Sequence, residues 1–376
     1  MLADFKEYIF LGGGVMAKRL YGQLSMMKLQ LIGVADTLDN EDRVQNVFMG
    51  YAVQPLVNFY QKIQDKKVAV VLAINAFESI PAINFYLEHG LPEECLFVPN
   101  PYTTLRPCVM NDEFAAEKRI PVDDERYREV GNMFKDELSK KIFQLLIEGK
   151  TYDNKEDTFE LVSYKEIKDM YWFSEDYWQS YSFEQTIQQQ DATVIDCGAY
   201  IGDSIIPLCD VIPQKNIYYY AFEPDKENAM SIRNNEEFFC RCKELHVMEY
   251  GVGNRDAKMH FELPDEATNK KDAGRFVEDT SGNMTECLEI RCMDGLQLNC
   301  KGTVYIKMDI EGSELSALEG AVDIIREYKP YMAICIYHRK NDLITIPLYI
   351  KSLVSDYQFY LRGGFHTILW AIPKEK

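Results

Sequence analysis

The chain has 376 residues, of which 47% are apolar, and its formal net charge at pH 7 is −19. This length suits two domains, and the apolar share excludes an intrinsically disordered chain. Because a protein that binds a nucleic-acid backbone needs a basic surface, the acidic balance argues against a nucleic-acid partner. No apolar run approaches a membrane span and no export signal begins the chain, so we expect a cytoplasmic protein without membrane insertion.

Residues 1–122 predict a Rossmann-like α/β domain. Apolar runs and helical spacing predict its strands and helices: strands Tyr8–Leu11, Leu29–Ala35, Val68–Ile74 and Leu96–Val98, and helices Val15–Lys28 and Ser79–His89. Gly12 and Gly14 form a turn between the first strand and the first helix, and Asp36 ends the second strand. These are the contexts of a dinucleotide-binding fingerprint, so we expect a nucleotide-type ligand here. A glycine turn used only for helix packing is the alternative.

Residues 123–190 predict a helical connector followed by an aromatic lid. Apolar residues recur at helical spacing up to Gly149: Val130, Phe134, Leu138, Ile142 and Leu145. Residues 171–183 are dense in aromatic side chains, of which Tyr177 or Trp178 is a candidate wall of a substrate or cofactor pocket. The alternative is a lid that only completes a hydrophobic core.

Residues 191–376 predict a second α/β domain, and its first strand leads into an informative turn. The strand from Thr193 reaches Asp196 and is followed by Gly198 and Gly202, which lack the Cβ atoms that would keep a ligand from the backbone. A second strand ends at Glu223, where an acid in a doubly wound sheet accepts hydrogen bonds from ribose hydroxyls. This half-sheet predicts a nucleoside site for NAD or S-adenosylmethionine (SAM).

Later strands bring further chemistry to the same predicted rim. We expect further strands at Glu244–Tyr250, Met259–Leu263, Leu288–Cys292, Val304–Met308, Met332–Tyr337, Phe359–Arg362 and Thr367–Ile372, a polar loop over Pro264–Thr285, and helices at Ser313–Ile325 and Leu343–Val354, the second interrupted by Pro347. His338 follows one strand and Asp309 another. Because histidine has a pKa suited to proton transfer near neutral pH, His338 is the candidate general base and Asp309 its rival or partner. A hydrogen-bonded histidine at a strand end is the alternative.

Charged residues around Asp309 have more than one interpretation. The carboxylates of Asp309, Glu311 and Glu314 could hold a cation, but hard-cation sites usually draw acids from several loops, so we assign no metal. Lys307 is expected to stabilise these acids, and Lys307 and Glu311 are the candidate substrate-binding residues. The ten cysteines show no zinc-ligand spacing and are expected to be free thiols.

Four ordered segments resemble the FkbM-type SAM-dependent methyltransferases: residues 196–202, Phe222–Asp225, Lys307–Glu314 and 334–342, with Tyr360–Arg362 similar to a closing segment. The resemblance spans roughly residues 171–372 and implies a class I methyltransferase fold. It also implies that Asp196 faces the amino-acid end of SAM, that Glu223 binds the ribose, and that Gly251 and Val252 lie at the adenine wall. The other candidate cofactor contacts are Gly198, Ala199, Tyr200, Gly202, Asp203 and Ser204.

Together these observations predict two Rossmann-like, three-layer α/β domains joined by a helical segment. The resemblance implies an O-methyltransferase that uses SAM to methylate a hydroxyl on a sugar, glycan or nucleotide-linked sugar. The alternatives are a natural-product O-methyltransferase, and a nucleotide-sugar-binding or NAD-dependent protein whose methyltransferase-like domain is not catalytic. A homo-oligomer is left open.

Overall fold

The computed structural model describes residues 2–13, 15–36, 47–48, 50–74, 76–100, 118–151, 161–168, 190–262, 275–278, 287–363 and 367–374. The chain divides into two compact units. The first comprises Met1–Arg106, Ile142–Ser174 and Gly363–Phe365, and the second comprises Pro107–Lys141, Glu175–Arg362 and His366–Lys376. The predicted connector, residues 123–190, is therefore divided between the two units.

The strands, in chain order, are β1 (Glu7–Leu11), β2 (Gln30–Asp36), β3 (Val47–Phe48), β4 (Tyr51–Pro55), β5 (Val68–Leu72), β6 (Leu96–Pro99), β7 (Leu161–Ser163), β8 (Asp191–Cys197), β9 (Asn216–Phe222), β10 (Glu244–Met248), β11 (Gly251–Gly253), β12 (Ala257–Glu262), β13 (Arg275–Glu278), β14 (Cys287–Cys292), β15 (Thr303–Met308), β16 (Tyr331–Cys335), β17 (Tyr357–Arg362) and β18 (Ile368–Pro373). The α-helices are α1 (Val15–Met26), α2 (Tyr60–Gln64), α3 (Ala76–Glu88), α4 (Glu125–Gly131), α5 (Glu137–Thr151), α6 (Tyr164–Ile167), α7 (Ile205–Val211), α8 (Lys226–Arg233), α9 (Glu236–Arg241), α10 (Glu314–Glu319), α11 (Val322–Tyr328) and α12 (Asp342–Leu353).

The first unit is built on a sheet of order β3-β4-β2-β1-β5-β6-β7. The inner strands β4, β2, β1, β5 and β6 are parallel, and the edge strands β3 and β7 are antiparallel to their neighbours. Every residue of β5 is buried, as its continuous apolar run predicts for an inner parallel strand. The structure thus confirms the predicted α/β class and adds β3, β4 and β7, which were not predicted. Strand β7 comes from the segment predicted as a helical connector and lid.

The prediction of one continuous connector helix after Asp123 is wrong. The structure has two helices, α4 and α5, and the segment between them leaves helical geometry. Phe134 forms a parallel bridge with Phe359, and Lys135 N donates to Phe359 O at 3.1 Å. Pairing with β17 therefore competes with helix formation at Phe134, and helical spacing alone does not reveal such a partner.

The second unit contains a sheet of order β10-β9-β8-β15-β16-β18-β17. The five neighbouring strands β10, β9, β8, β15 and β16 are parallel, whereas β18 is antiparallel to both β16 and β17. Strands β8, β9 and β15 have nearly continuous buried runs, as parallel strands covered on both faces require. The carboxyl ends of β8, β9, β15 and β16 therefore share one edge, which carries the predicted site residues.

A separate four-stranded sheet, of order β11-β14-β12-β13, was not predicted. Strand β13 lies within the segment predicted as a polar loop and pairs antiparallel with β12.

The single helix predicted over residues 313–325 is two helices in the structure, α10 and α11. At the break, a Cβ on Gly320 would overlap the carbonyl of Gly253. By contrast, α12 continues through Pro347 without the predicted interruption.

Candidate active site

The turn after β8 is held against the turn after β15. Gly198 has φ +79°, and a Cβ at this position would overlap the carbonyl oxygen of Asp309. Asp309 N also donates to Cys197 O at 3.1 Å. Contact between two backbone segments therefore requires glycine at position 198, whether or not a ligand is bound. This reason differs from the predicted one, which was close approach of a ligand.

A buried ion pair fastens this turn to the sheet. Lys307 Nζ lies 3.0 Å from Asp196 Oδ1 and donates to Gly198 O at 2.6 Å. Tyr219 donates to the second oxygen of Asp196 at 2.7 Å. Burial alone would lower the pKa of Lys307, but Asp196, Asp309 and Asp203 raise it above its usual value. Lys307 is thus a charged anchor for the turn, and direct contacts of Asp196 or Lys307 with a ligand stay predictions.

Glu223 holds the other side of the turn. It follows β9 and is buried, with Oε2 accepting from Tyr200 N at 2.8 Å and Oε1 accepting from Asp225 N at 2.9 Å. Burial raises the pKa of this carboxyl to about 7, against the opposing effect of the two backbone donors. The acid therefore changes charge near neutral pH at the place where an acid of such folds meets a ribose.

The remaining predicted cofactor residues occupy different environments around this turn. Tyr200 is 37% exposed and has φ +48°, a left-handed conformation that is uncommon outside glycine. A Cβ on Gly202 would overlap the ring of Phe238. Ser204 is buried at the N-cap of α7 but forms no capping hydrogen bond through its side chain. Ala199 is buried and Asp203 is exposed.

Gly251 and Val252, predicted at the adenine wall, belong to the separate sheet. Both lie in β11, where they pair with Ile290 and Arg291 of β14. Val252 is buried, and Glu223 N donates to Met248 O just before this strand. Their placement next to β10 keeps them near the edge that carries Glu223, and their contact with adenine stays a prediction.

His338 lies in a cluster of carboxylates at the ends of β15 and β16. Its Nδ1 is 2.8 Å from Glu314 Oε1, and its Nε2 is 3.4 Å from Asp309 Oδ1 and 3.7 Å from Glu311 Oε2. Glu314 and His338 are buried, whereas the side chain of Asp309 is 23% exposed. The structure thus brings the carboxylates of Asp309, Glu311 and Glu314 together around His338.

The carboxylates around His338 oppose the proton-acceptor role that the sequence predicts for this residue, and that role stays a prediction. Burial alone would lower the pKa of His338, but the carboxylates of Glu314, Asp309 and Glu311 outweigh it and raise the pKa to about 10. An imidazole that already carries its second proton at neutral pH cannot accept another. In this state His338 is a cation that holds the carboxylates in place, and Asp309 is the better candidate to accept a hydroxyl proton.

Sequence reasoning missed several supporting side chains. Tyr337 donates to Asp309 Oδ1 at 2.9 Å, and Asp342 Oδ2 accepts from Arg339 N at 2.9 Å. Burial, together with the nearby Glu314, raises the pKa of Asp342. Asn341 accepts from Ile120 N at 2.8 Å and so holds a distant segment of the same unit. The sequence feature that could have identified Tyr337, Asn341 and Asp342 is their position within residues 334–342, at and directly after the end of a predicted strand.

The predicted nucleotide site of the first unit is described only in part. Gly12 has φ +98°, and a Cβ there would lie 3.0 Å from Ala73 O, so close packing between strands already requires glycine. Asp36 ends β2 as predicted. Gly14, Tyr177 and Trp178 lie outside the described residues. The nucleotide ligand stays a prediction.

Comparisons with known proteins agree with this geometry. Residues 196–359 match the family model of the Methyltransferase FkbM domain. The crystal structure of Methyltransferase FkbM from Methylobacillus flagellatus KT has a similar fold, with a TM-score of 0.52 at 19% sequence identity over 98% of this chain and 90% of that chain. No curated protein matches the sequence significantly. No helix among the described residues is both long enough and apolar enough to span a membrane.

The strand order and this likeness define the fold of the second unit, which is the α/β fold of the class I methyltransferases. More particularly, residues 196–359 are similar to the FkbM methyltransferase domain. The predicted resemblance and the predicted fold class are therefore confirmed.

Proposed function

We propose that this protein is a SAM-dependent O-methyltransferase whose acceptor is a hydroxyl on a sugar, glycan or nucleotide-linked sugar. The observation that carries the proposal is that the glycine turn after β8 lies against Asp309 of the carboxylate cluster within one unit. A methyl donor at the turn and a proton acceptor at the cluster are the two requirements of an in-line transfer to oxygen.

The donor side of the proposal rests on Glu223 and the turn. Glu223 is anchored by two backbone donors, which hold its carboxylate at the end of β9. Each carboxylate oxygen can accept more than one hydrogen bond, so Glu223 can also bind the two ribose hydroxyls of SAM. Tyr200 N donates to the same acid, and the exposed Tyr200 side chain would cover the methionine portion.

The acceptor side rests on Asp309 and Glu311. Both side chains reach solvent, at 23% and 43% exposure, whereas their partners His338 and Glu314 are buried. Exposed carboxylates on a rigid, buried support suit a polyhydroxylated acceptor, because each can take a hydrogen bond from a neighbouring hydroxyl. Asp309 would receive the proton as the oxygen attacks the methyl group, while His338 keeps its carboxylate oriented.

Calorimetric titration and a transfer assay test this proposal. SAM and its demethylated product should bind the parent protein with a stoichiometry of one, and Glu223→Ala should weaken both by about tenfold or more, as expected for loss of a charged hydrogen bond. Labelled methyl groups should then appear on a hydroxyl of a sugar, glycan or nucleotide-sugar panel. Binding of NAD without SAM binding would favour the NAD-dependent alternative, and transfer only to polyketide or peptide hydroxyls would favour a natural-product substrate.

Glu223 should also make SAM affinity depend on pH. The carboxyl ionises as the pH rises through about 7, and the ionised form is the better acceptor for ribose hydroxyls. Affinity should therefore increase between pH 6 and 8 by up to about tenfold, the change in ionised fraction over that interval. Calorimetry with Glu223→Gln should show a flatter profile, and the exposed control Glu244→Gln should retain the parental one. Equal slopes in parent and Glu223→Gln would contradict this role.

A further inference from the structure

Three buried atoms of the carboxylate cluster form no hydrogen bond within the described residues. They are Nδ1 and Nε2 of His338 and Oε2 of Glu314. His338 is 2% exposed, and no residue in the described part of the chain forms a hydrogen bond with its Nε2 atom. The nearest acceptors are Asp309 Oδ1 at 3.4 Å and Glu311 Oε2 at 3.7 Å. Buried polar atoms without a partner are uncommon in native proteins, and each needs a specific reason.

The spacing of these atoms suggests that reason. Zinc and similar ions bind nitrogen and oxygen ligands at about 2.0–2.2 Å, which places neighbouring ligand atoms about 2.8–3.6 Å apart. The two distances from Nε2 are within or just above this range. Ligand atoms of Asp309, Glu314 and His338 also lie within 4.8 Å of one another. Small shifts of the side chains would allow one ion to contact Nε2 and both neighbouring carboxylates.

The second nitrogen of His338, Nδ1, lies at ion-pair distance from a carboxylate, although it forms no hydrogen bond within the described residues. Nδ1 lies 2.8 Å from Glu314 Oε1, and that oxygen is itself fixed by Ile310 N at 2.9 Å. A histidine that binds a metal commonly donates its other ring N–H to a carboxylate, which fixes the tautomer and the ring orientation. With Nδ1–H directed at Glu314, Nε2 would face Asp309 and Glu311, and the ion would displace the proton of Nε2 so that this nitrogen becomes an electron-pair donor.

The charge of the cluster favours a cation as well. Four carboxylates surround His338: Asp309, Glu311, Glu314 and Asp342. Glu314 and Asp342 are buried, and burying negative charge without compensation is costly. A divalent ion bound at Nε2 would compensate more of this charge than a single proton does.

We propose that Asp309, Glu311 and His338 bind one divalent cation, with Glu314 as the carboxylate that orients His338. Imidazole suits Zn²⁺ and Fe²⁺, whereas carboxylates suit Mg²⁺ and Mn²⁺, so a mixed set of one nitrogen and two oxygen ligands is compatible with Mn²⁺. The ion would lie beside the Gly198 turn and lower the pKa of an acceptor hydroxyl. That use rests on the proposed methyl transfer, but binding of the ion does not.

Titration of the full chain with Mn²⁺, followed by electron paramagnetic resonance without SAM or acceptor, tests the site. The parent should bind one Mn²⁺, and Glu311→Gln should weaken binding about tenfold or more, because a carboxylate ligand is lost. Glu311 is 43% exposed, so this variant should keep its fold, which circular dichroism would verify. His338→Gln should weaken binding similarly, whereas the exposed control Glu327→Gln should bind like the parent.

Two outcomes would overturn the proposal. One is a parent that binds no stoichiometric Mn²⁺, with Zn²⁺ and Mg²⁺ also failing in calorimetry. The other is parental affinity in both Glu311→Gln and His338→Gln. Failure of the proposed methyl transfer is distinguishable: Mn²⁺ would then bind as expected while SAM does not. If the protein binds no metal and methyl transfer still proceeds at the full rate with excess chelator, the cation site is refuted and the proposed methyl transfer stands.

Discussion

Gly198→Ala should destabilise the protein and abolish SAM binding. The added Cβ would overlap the carbonyl of Asp309, and the residue would also have to keep φ +79°. A left-handed conformation costs a non-glycine residue about 1–3 kcal/mol, and overpacking a filled site costs about 1–3 kcal/mol, so the free energy of unfolding should fall by about 2–6 kcal/mol. Denaturant unfolding of the full chain and calorimetric SAM titration measure the two effects.

The control for this variant is Gly295→Ala in the same unit. A Cβ at Gly295 meets no atom within 4 Å, and its φ is not positive, so neither cost applies. Its stability and SAM affinity should stay within the range of an ordinary surface change, about 0.5 kcal/mol. If Gly198→Ala were as stable as this control and bound SAM normally, the contact between the two turns would not be what holds the donor site.

Asp309→Asn should lower the rate of methyl transfer by a factor on the order of 10²–10⁴ while leaving SAM affinity within about threefold. The substitution keeps the shape of the side chain and its hydrogen bond from Tyr337 but removes the charge beside His338. The loss is expected whether Asp309 accepts the hydroxyl proton or holds an ion that acidifies it, because both require the carboxylate. Single-turnover transfer to the identified acceptor separates this step from SAM binding.

Asp323→Asn is the matched control, since Asp323 is exposed at the start of α11 and lies outside the cluster. It should transfer methyl groups at the parental rate. A full rate in Asp309→Asn would remove Asp309 from the reacting centre. A parallel loss of SAM affinity would instead show that Asp309 acts by supporting the turn at Gly198.

The second sheet could be predicted in large part because its pattern is local. Strands β8, β9, β15 and β16 are buried on both faces, so each appears in the sequence as an apolar run that ends at a polar residue. Parallel strands of one sheet end at the same edge, which places Glu223, Asp309 and His338 on one rim without knowledge of their contacts. The same local reasoning failed at Phe134 and at β13, where a strand pairing decides the structure.

The sequence by itself therefore determined the class of the second unit and the rim on which its chemistry lies. Only the tertiary structure decided what each residue does there. Lys307 anchors Gly198, and the partner that makes Gly198 indispensable is Asp309, more than a hundred positions along the chain. The charge of His338 likewise depends on carboxylates brought to it by folding. Electrostatic and steric energies depend on distance in space, and a pattern along the chain does not contain that distance.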